Sequence, residues 1–199
     1  DDVMGVIEIL SSRREYTKSN PFVVLLGNGD HQITSSLTSP VGYPSPTTLA
    51  ITRSNITFVG KGKDATTVLG GFRIENVENI MFQKMSMTPS TASVHDINKS
   101  CIRTVNAQVE LTDVAIINSI NSALDIQHKS TIVATRCEFS KSGGRGVYIG
   151  SSSKANFTDC LIHDSTRDGL YANNSVVHLY GEATAIHSNK RSGIYAYDS

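Results

Sequence analysis

Apolar and polar residues alternate in short runs that return about every twenty-three positions along the chain. Ala123-Leu124-Asp125-Ile126, Gly146-Val147-Tyr148-Ile149, Gly169-Leu170-Tyr171-Ala172 and Gly193-Ile194-Tyr195-Ala196 begin 23, 23 and 24 residues apart. Cys101-Ile102-Arg103-Thr104, Gly71-Phe72-Arg73-Ile74 and Thr48-Leu49-Ala50-Ile51 carry the same pattern of small, apolar, variable and apolar residues. Two further runs recur in phase, one through Ile56/Phe58, Ile80/Phe82, Val109/Leu111, Ile132/Ala134 and Ala155/Phe157, the other through Met85/Met87, Val114/Ile116, Cys137/Phe139 and Cys160/Ile162. Period-two alternation marks a strand with one buried face. Three such runs per repeat, separated by Gly, Asn, Ser and Asp, leave no room for a helix. The pattern therefore predicts an all-β, single-stranded parallel β-helix with three short strands per coil and about seven coils, right-handed by the preference of parallel crossovers.

Aligned columns follow from that stacking. Ser119, Ser142, Ser165 and Ser188 are each 23 apart and form a hydroxyl ladder, while Gly146, Gly169 and Gly193 mark a turn needing positive φ or close backbone approach. Cys137 and Cys160 fall on neighbouring inward positions; with Cys101 they read as core thiols, in poor geometry for a disulfide and not a redox or zinc cluster. Val3, Val6, Ile7 and Leu10 have helical spacing, so residues 1–20 are expected to be an amphipathic capping helix and linker, and 21–199 the β-helix. Thr34 to Pro46 reads as a loop, and Thr88 to Ser100 as an insertion that stretches one repeat. The C-terminal coil edge is expected to continue into further chain or to be covered by a partner.

Charge narrows the function. The 199 residues hold 18 Lys and Arg against 18 Asp and Glu, which removes the electrostatic case for nucleic acid. No stretch has the length of a membrane span, and the start lacks the layout of a signal peptide.

The segment Ser54-Asn55-Ile56-Thr57-Phe58-Val59-Gly60-Lys61-Gly62-Lys63-Asp64-Ala65-Thr66-Thr67-Val68-Leu69-Gly70 resembles the early coils of pectin methylesterase-like proteins. From Phe22 to Ser199 the chain resembles the right-handed parallel β-helix proteins of the pectin lyase-like superfamily. That resemblance implies polysaccharide lyases, hydrolases, esterases and epimerases as relatives, alongside phage tailspikes and noncatalytic adhesins. The Gly-x-x-Asp-Phe-x-x-Gly segment of the esterases, the Arg-x-Pro-x-x-Arg run of pectate lyases and the Asp-Pro-His run of alginate epimerases do not occur here.

One outward column reads Ala50, Arg73, Arg103, Asp125, Tyr148, Tyr171 and Tyr195; a second includes Glu75, Gln127, Gly150, Asn173 and Tyr197, with His128, Arg145, Arg167 and Asp168 in adjoining turns. Tyr148, Tyr171, Tyr195, Gln127, Asn173 and Arg73 are the candidate ligand-binding residues, because planar rings suit sugar faces and amides and guanidinium groups suit sugar hydroxyls. Tyrosines on neighbouring strands also stack for stability alone. Arg103, Asp125, His128 and Tyr148 are the candidate catalytic group: an Arg to stabilise developing negative charge and a His or Tyr to move protons. The same Arg and Asp read equally as a surface ion pair. No metal or cofactor site is expected, since Arg136 separates Asp113 from Asp159 and the pair His163/His187 alone does not make a site. Thr112, Thr135 and Thr158 form an outward row that Gln83 and Tyr180 end, too short for an ice-binding array. Asn-x-Ser/Thr triplets at Asn55, Asn98, Asn156 and Asn173 lean weakly toward an extracellular or surface location. The expected function is a noncatalytic module presenting a rigid outward face to a polysaccharide or a protein partner; the alternative is a lyase, epimerase or esterase acting on a uronate-containing polysaccharide.

Overall fold

A computed structural model describes residues 7, 10–34, 47–89 and 100–198. The chain winds as a parallel β-solenoid with three faces. The first face stacks Phe22–Leu25, Ile56–Val59, the start of Ile80–Thr88, the start of Gln108–Ile117, Thr131–Thr135, Lys154–Thr158 and Val176–Tyr180. The second stacks Gly29–Gln32, Thr66–Leu69, the ends of the same two long strands, Glu138–Ser140, Leu161–His163 and Ala185–His187. The third is a separate seven-stranded sheet of Thr48–Ile51, Gly71–Glu75, Ile102–Val105, Leu124–Gln127, Val147–Ile149, Leu170–Asn173 and Ile194–Tyr197. Seven strands are separated by six coil-to-coil steps, so the solenoid makes about six turns where the sequence pattern suggests about seven.

Register follows the sequence repeat. Leu124 pairs with Val147, Val147 with Leu170 and Leu170 with Ile194. The inward residues Ile80, Phe82, Leu111, Ala134 and Phe157 are fully buried. Phe58 and Phe82 stack with centroids 5.0 Å apart, and Phe72 tilts against Phe82 at 4.7 Å. Cys101, Cys137 and Cys160 are free and buried, as expected of core thiols. Cys137 and Cys160 are neighbours just ahead of the paired residues Glu138 and Leu161, and burial pushes the Cys101 thiol up to about 12.

The corners use left-handed residues. Lys84, Asp113, Arg136 and Asp159 have φ of 55°, 55°, 53° and 54° at the same corner of successive coils, followed by Gly181 at 84°. A single left-handed residue turns the strand without interrupting the stack, which is why Ile80–Thr88 and Gln108–Ile117 run on across two faces. Asn76 and Asn106 occupy another corner, joined by an Asn106 Nδ2 to Asn76 Oδ1 hydrogen bond of 2.9 Å. Asn tolerates this conformation better than most residues.

Of the expected ladders, Ser119, Ser142 and Ser165 are buried while Ser188 is exposed. The glycine column is a matter of space, not of positive φ. A methyl on Gly146 would approach the Gly169 carbonyl oxygen and Ile162 Cγ2 at 2.6 Å each. The expected N-terminal capping helix falls largely outside the described residues; Ile7, which is described, packs against the core. Most of the loop from Thr34 to Pro46 and of the insertion from Thr88 to Ser100, with Asn98, also lies outside them. No helix among the described residues is long and apolar enough to cross a membrane.

Candidate functional site

Alternation on the third face turns every second residue outward, and parallel register aligns those residues across coils. Arg73 pairs with Arg103, Arg103 with Asp125, Asp125 with Tyr148, Tyr148 with Tyr171 and Tyr171 with Tyr195. The chain thus brings residues more than a hundred positions apart into one strip along the solenoid axis. Four of the six candidate ligand-binding residues, Arg73, Tyr148, Tyr171 and Tyr195, lie in this strip; Gln127 and Asn173 lie two positions on, where Gln127 pairs with Val105 and Asn173 with Tyr197.

The lower part of the strip is charged. Arg73 makes a bidentate pair with Glu75, Nε to Oε1 at 2.6 Å and Nη2 to Oε2 at 2.9 Å. Arg103 Nε stands 3.9 Å from Asp125 Oδ2, and Gln127 Nε2 donates to Asp125 Oδ1 at 2.7 Å. Only 13% of the Asp125 side chain is exposed. Burial pushes its carboxyl above the usual carboxylate range, against the opposing pull of Gln127, Arg103, Arg145 and His128. Of the candidate catalytic group, the fold makes Arg103, Asp125 and Tyr148 neighbours on successive coils. His128 sits apart at an exposed corner with φ of 53°, and among the described residues no hydrogen bond joins it to Asp125.

The upper part is aromatic. Tyr148 stacks on Tyr171, and Tyr171 on Tyr195, with centroids 5.3 Å apart in each pair and interplanar angles of 15° and 13°. Tyr197 meets Tyr171 edge-on at 5.8 Å, and its hydroxyl bond to Tyr171 raises the Tyr171 phenol above its ordinary range. Gly150 makes room for the ladder, since a methyl there would meet the Tyr148 hydroxyl oxygen at 2.9 Å.

Arg145 and Asp168, from the adjoining turns, complete the strip in a way their sequence positions do not announce. The Arg145 guanidinium lies 3.9 Å from the Tyr171 ring centroid and 5.4 Å from that of Tyr148, with its Nε 3.7 Å from the nearly buried Asp168 carboxylate. The rings of Tyr148 and Tyr171 are consequently packed on their neighbours and against Arg145. The place of Arg145 and Asp168 in the turns beside the column is legible, since each precedes a Gly-led strand, at Gly146 and Gly169, but their packing on the rings is not.

Elsewhere, a groove of about 150 Å³ on the first face is lined by Lys18, Met81, Gln108, Glu110, Thr131 and Val133 among others. The threonine row is as short as its sequence suggests: Thr112, Thr135 and Thr158 are register partners, flanked by Gln83 and Tyr180. At the corner below, Arg136 grips Asp113 through two bonds of 2.8 Å. That pairing holds the Asp113 carboxyl below its ordinary range.

A family model described as right handed beta helix region matches residues 100–199. No curated protein matches the chain.

Proposed function

The chain belongs to the right-handed β-helix family, and from the face that this fold presents we propose that it is a noncatalytic module that binds a polysaccharide along the third face. The observation that carries the reading is the in-register strip from Arg73 to Tyr195, whose tyrosine rings repeat every 5.3 Å. That interval is close to the length of one pyranose ring, so a linear glycan lying along the solenoid axis meets an equivalent set of groups on each coil. Tyr148, Tyr171 and Tyr195 supply hydroxyls and apolar ring edges; Gln127, Asn173 and Arg73 supply hydrogen-bond partners for sugar hydroxyls. Stacking and backbone pairing already fix these side chains, so little ordering entropy is lost on binding.

Glycan array screening followed by calorimetry on the best ligand tests this. Tyr148→Ala and Tyr171→Ala are each expected to weaken binding by about tenfold or more, the loss typical of a rigid aromatic contact. Unchanged affinity in both would remove the third face as the binding surface.

A catalytic reading rests on one observation, the Asp125 carboxyl, raised by burial, beside Arg103. In that reading Arg103 stabilises a developing anion and Asp125 or Tyr148 transfers the proton. Product formation from pectin or alginate that Arg103→Ala abolishes would replace the binding module with an enzyme.

A further inference from the structure

The first face carries an outward column of its own, Thr57, Met81, Glu110 and Val133, each the register partner of the next. The groove of about 150 Å³ lies over this column and is bordered by Lys18, from the turn ahead of the strand Phe22–Leu25. That turn is fixed in place. Thr17 and Asn20 exchange backbone hydrogen bonds of 3.2 and 3.1 Å, Asn55 Nδ2 donates to the Tyr16 carbonyl at 2.8 Å, and Tyr16 meets Phe22 edge-on at 5.2 Å. In the column, Gln83 Nε2 donates to Met81 Sδ at 2.7 Å, so the thioether is held as well. The polar side chains around the groove are, by contrast, uncommitted: those of Lys18, Thr57, Gln108, Glu110 and Thr131 make no hydrogen bond or ion pair with another described residue.

We propose that this groove binds a free α-amino acid with an apolar side chain, with leucine as the probe. Volume sets the size of the ligand. An apolar cavity of about 150 Å³ takes benzene, so a groove of that volume takes a molecule of that order and not a disaccharide or a peptide. Charge sets its class. A cation and an anion that pair with no other described residue border the same small groove, and a zwitterion engages both at once, its carboxylate on Lys18 and its ammonium on Glu110, through charge-assisted hydrogen bonds. A peptide terminus offers only one of the two charges, and a neutral sugar neither. Met81, between Thr57 and Glu110 in the column, gives the apolar side chain an adaptable surface. The hydroxyls of Thr57 and Thr131 and the amide of Gln108 remain for the other carboxylate oxygen and the other ammonium protons. The groove and the glycan strip lie on different faces, and neither depends on the other.

Titration of the intact chain with leucine tests the proposal, followed by NMR of labelled methionine methyl groups. Met81 is half-buried at the groove while Met85 and Met87 are fully buried, so leucine should shift the Met81 signal saturably and leave the other two in place. Leucinamide and 4-methylpentanoate, which have the same side chain but lack the carboxylate and the ammonium respectively, should each bind at least about tenfold more weakly, the loss expected for one charged hydrogen bond. Glycine, with both charges and no side chain, should also bind more weakly than leucine. Lys18→Gln and Glu110→Gln, both at exposed positions, should each weaken leucine binding at least about tenfold. In Lys18→Gln leucine and leucinamide should then bind alike, as leucine and 4-methylpentanoate should in Glu110→Gln; a general loss of structure would not sort the ligands in this way. Tyr171→Ala, on the third face, should bind leucine as the wild type does, whatever its effect on a glycan. A Met81 signal that leucine leaves in place overturns the site, and so does leucine affinity unchanged in both charge variants. Leucinamide or 4-methylpentanoate bound by the wild type as tightly as leucine overturns the two-charge recognition.

Discussion

Residue by residue, the same motif position carries different constraints on different coils. Gly146 and Gly193 open identical-looking strands, yet a methyl on Gly146 would lie 2.6 Å from the Gly169 carbonyl oxygen, while on Gly193 its nearest neighbour would be 3.6 Å away. Gly146→Ala should therefore cost about 1–3 kcal/mol, the range for overpacking, and Gly193→Ala should remain within about 0.5 kcal/mol of wild type; urea midpoints compare them. The two carboxylates of the outer surface respond to pH with opposite sign. Asp113 is held low by Arg136, so the stability it contributes is present above its unfolded-state pKa and lost as pH falls through the lower folded value. Asp125 is raised by burial, so its folded form keeps a proton that the unfolded chain has released, and stability falls as pH rises from the ordinary carboxylate range through the raised value. Asp125→Asn should accordingly raise the melting temperature at pH 7 and have less effect at pH 3, and the absence of a gain at pH 7 would contradict the burial argument. The sequence made the column containing Asp125 legible through its spacing alone. It could not reveal the carboxyl's desolvation, because that depends on how neighbouring coils and turns pack around the side chain.

Elements reveal where sequence spacing works and where it does not. Strands were legible because alternation and a near-constant repeat leave only one stacking register, and the pairing of Leu124 with Val147 and Leu170 is the one that spacing implies. The corners were legible only in part. The 23-residue spacing puts Asp113, Arg136 and Asp159 in one turn column, and Asp tolerates a left-handed backbone, but nothing in the side chains of Lys84 or Arg136 marks the same conformation there. Left-handed φ costs a residue with a Cβ roughly 1–2 kcal/mol, and the cost is greatest for a β-branched side chain. Lys84→Gly should thus stabilise the fold by up to about 1 kcal/mol, and Lys84→Val should destabilise it, with the denaturation midpoints moving in opposite directions. Asp113→Gly should gain less than Lys84→Gly, since it also gives up the pair with Arg136.

Across the whole molecule the solenoid is quasi-one-dimensional: each coil contacts mainly its neighbours, and stability is close to a sum of coil and interface terms. A central coil has two interfaces, and its inward Leu124 and Ile126 are fully buried. In the coil of Val176–Tyr180 and Ile194–Tyr197, Ile194, which aligns with Leu124, is 52% exposed, and Leu179, which aligns with the fully buried Phe157, is 38% exposed. A coil whose inward side chains are less buried opens at a lower free energy than the middle of the stack, and local opening governs amide exchange. Native-state hydrogen exchange on this chain should therefore show protection falling from Leu124–Gln127 through Leu170–Asn173 to Ile194–Tyr197, in order of position along the axis. The tyrosine ladder crosses this gradient, so Tyr148 stands on a firmer coil than Tyr195, and a bound glycan spanning the strip would raise protection most where it is weakest. Protection at Ile194–Tyr197 equal to that at Leu124–Gln127 without any ligand would mean that the coils unfold as one cooperative unit, and the nearest-neighbour account of this solenoid would have to be given up.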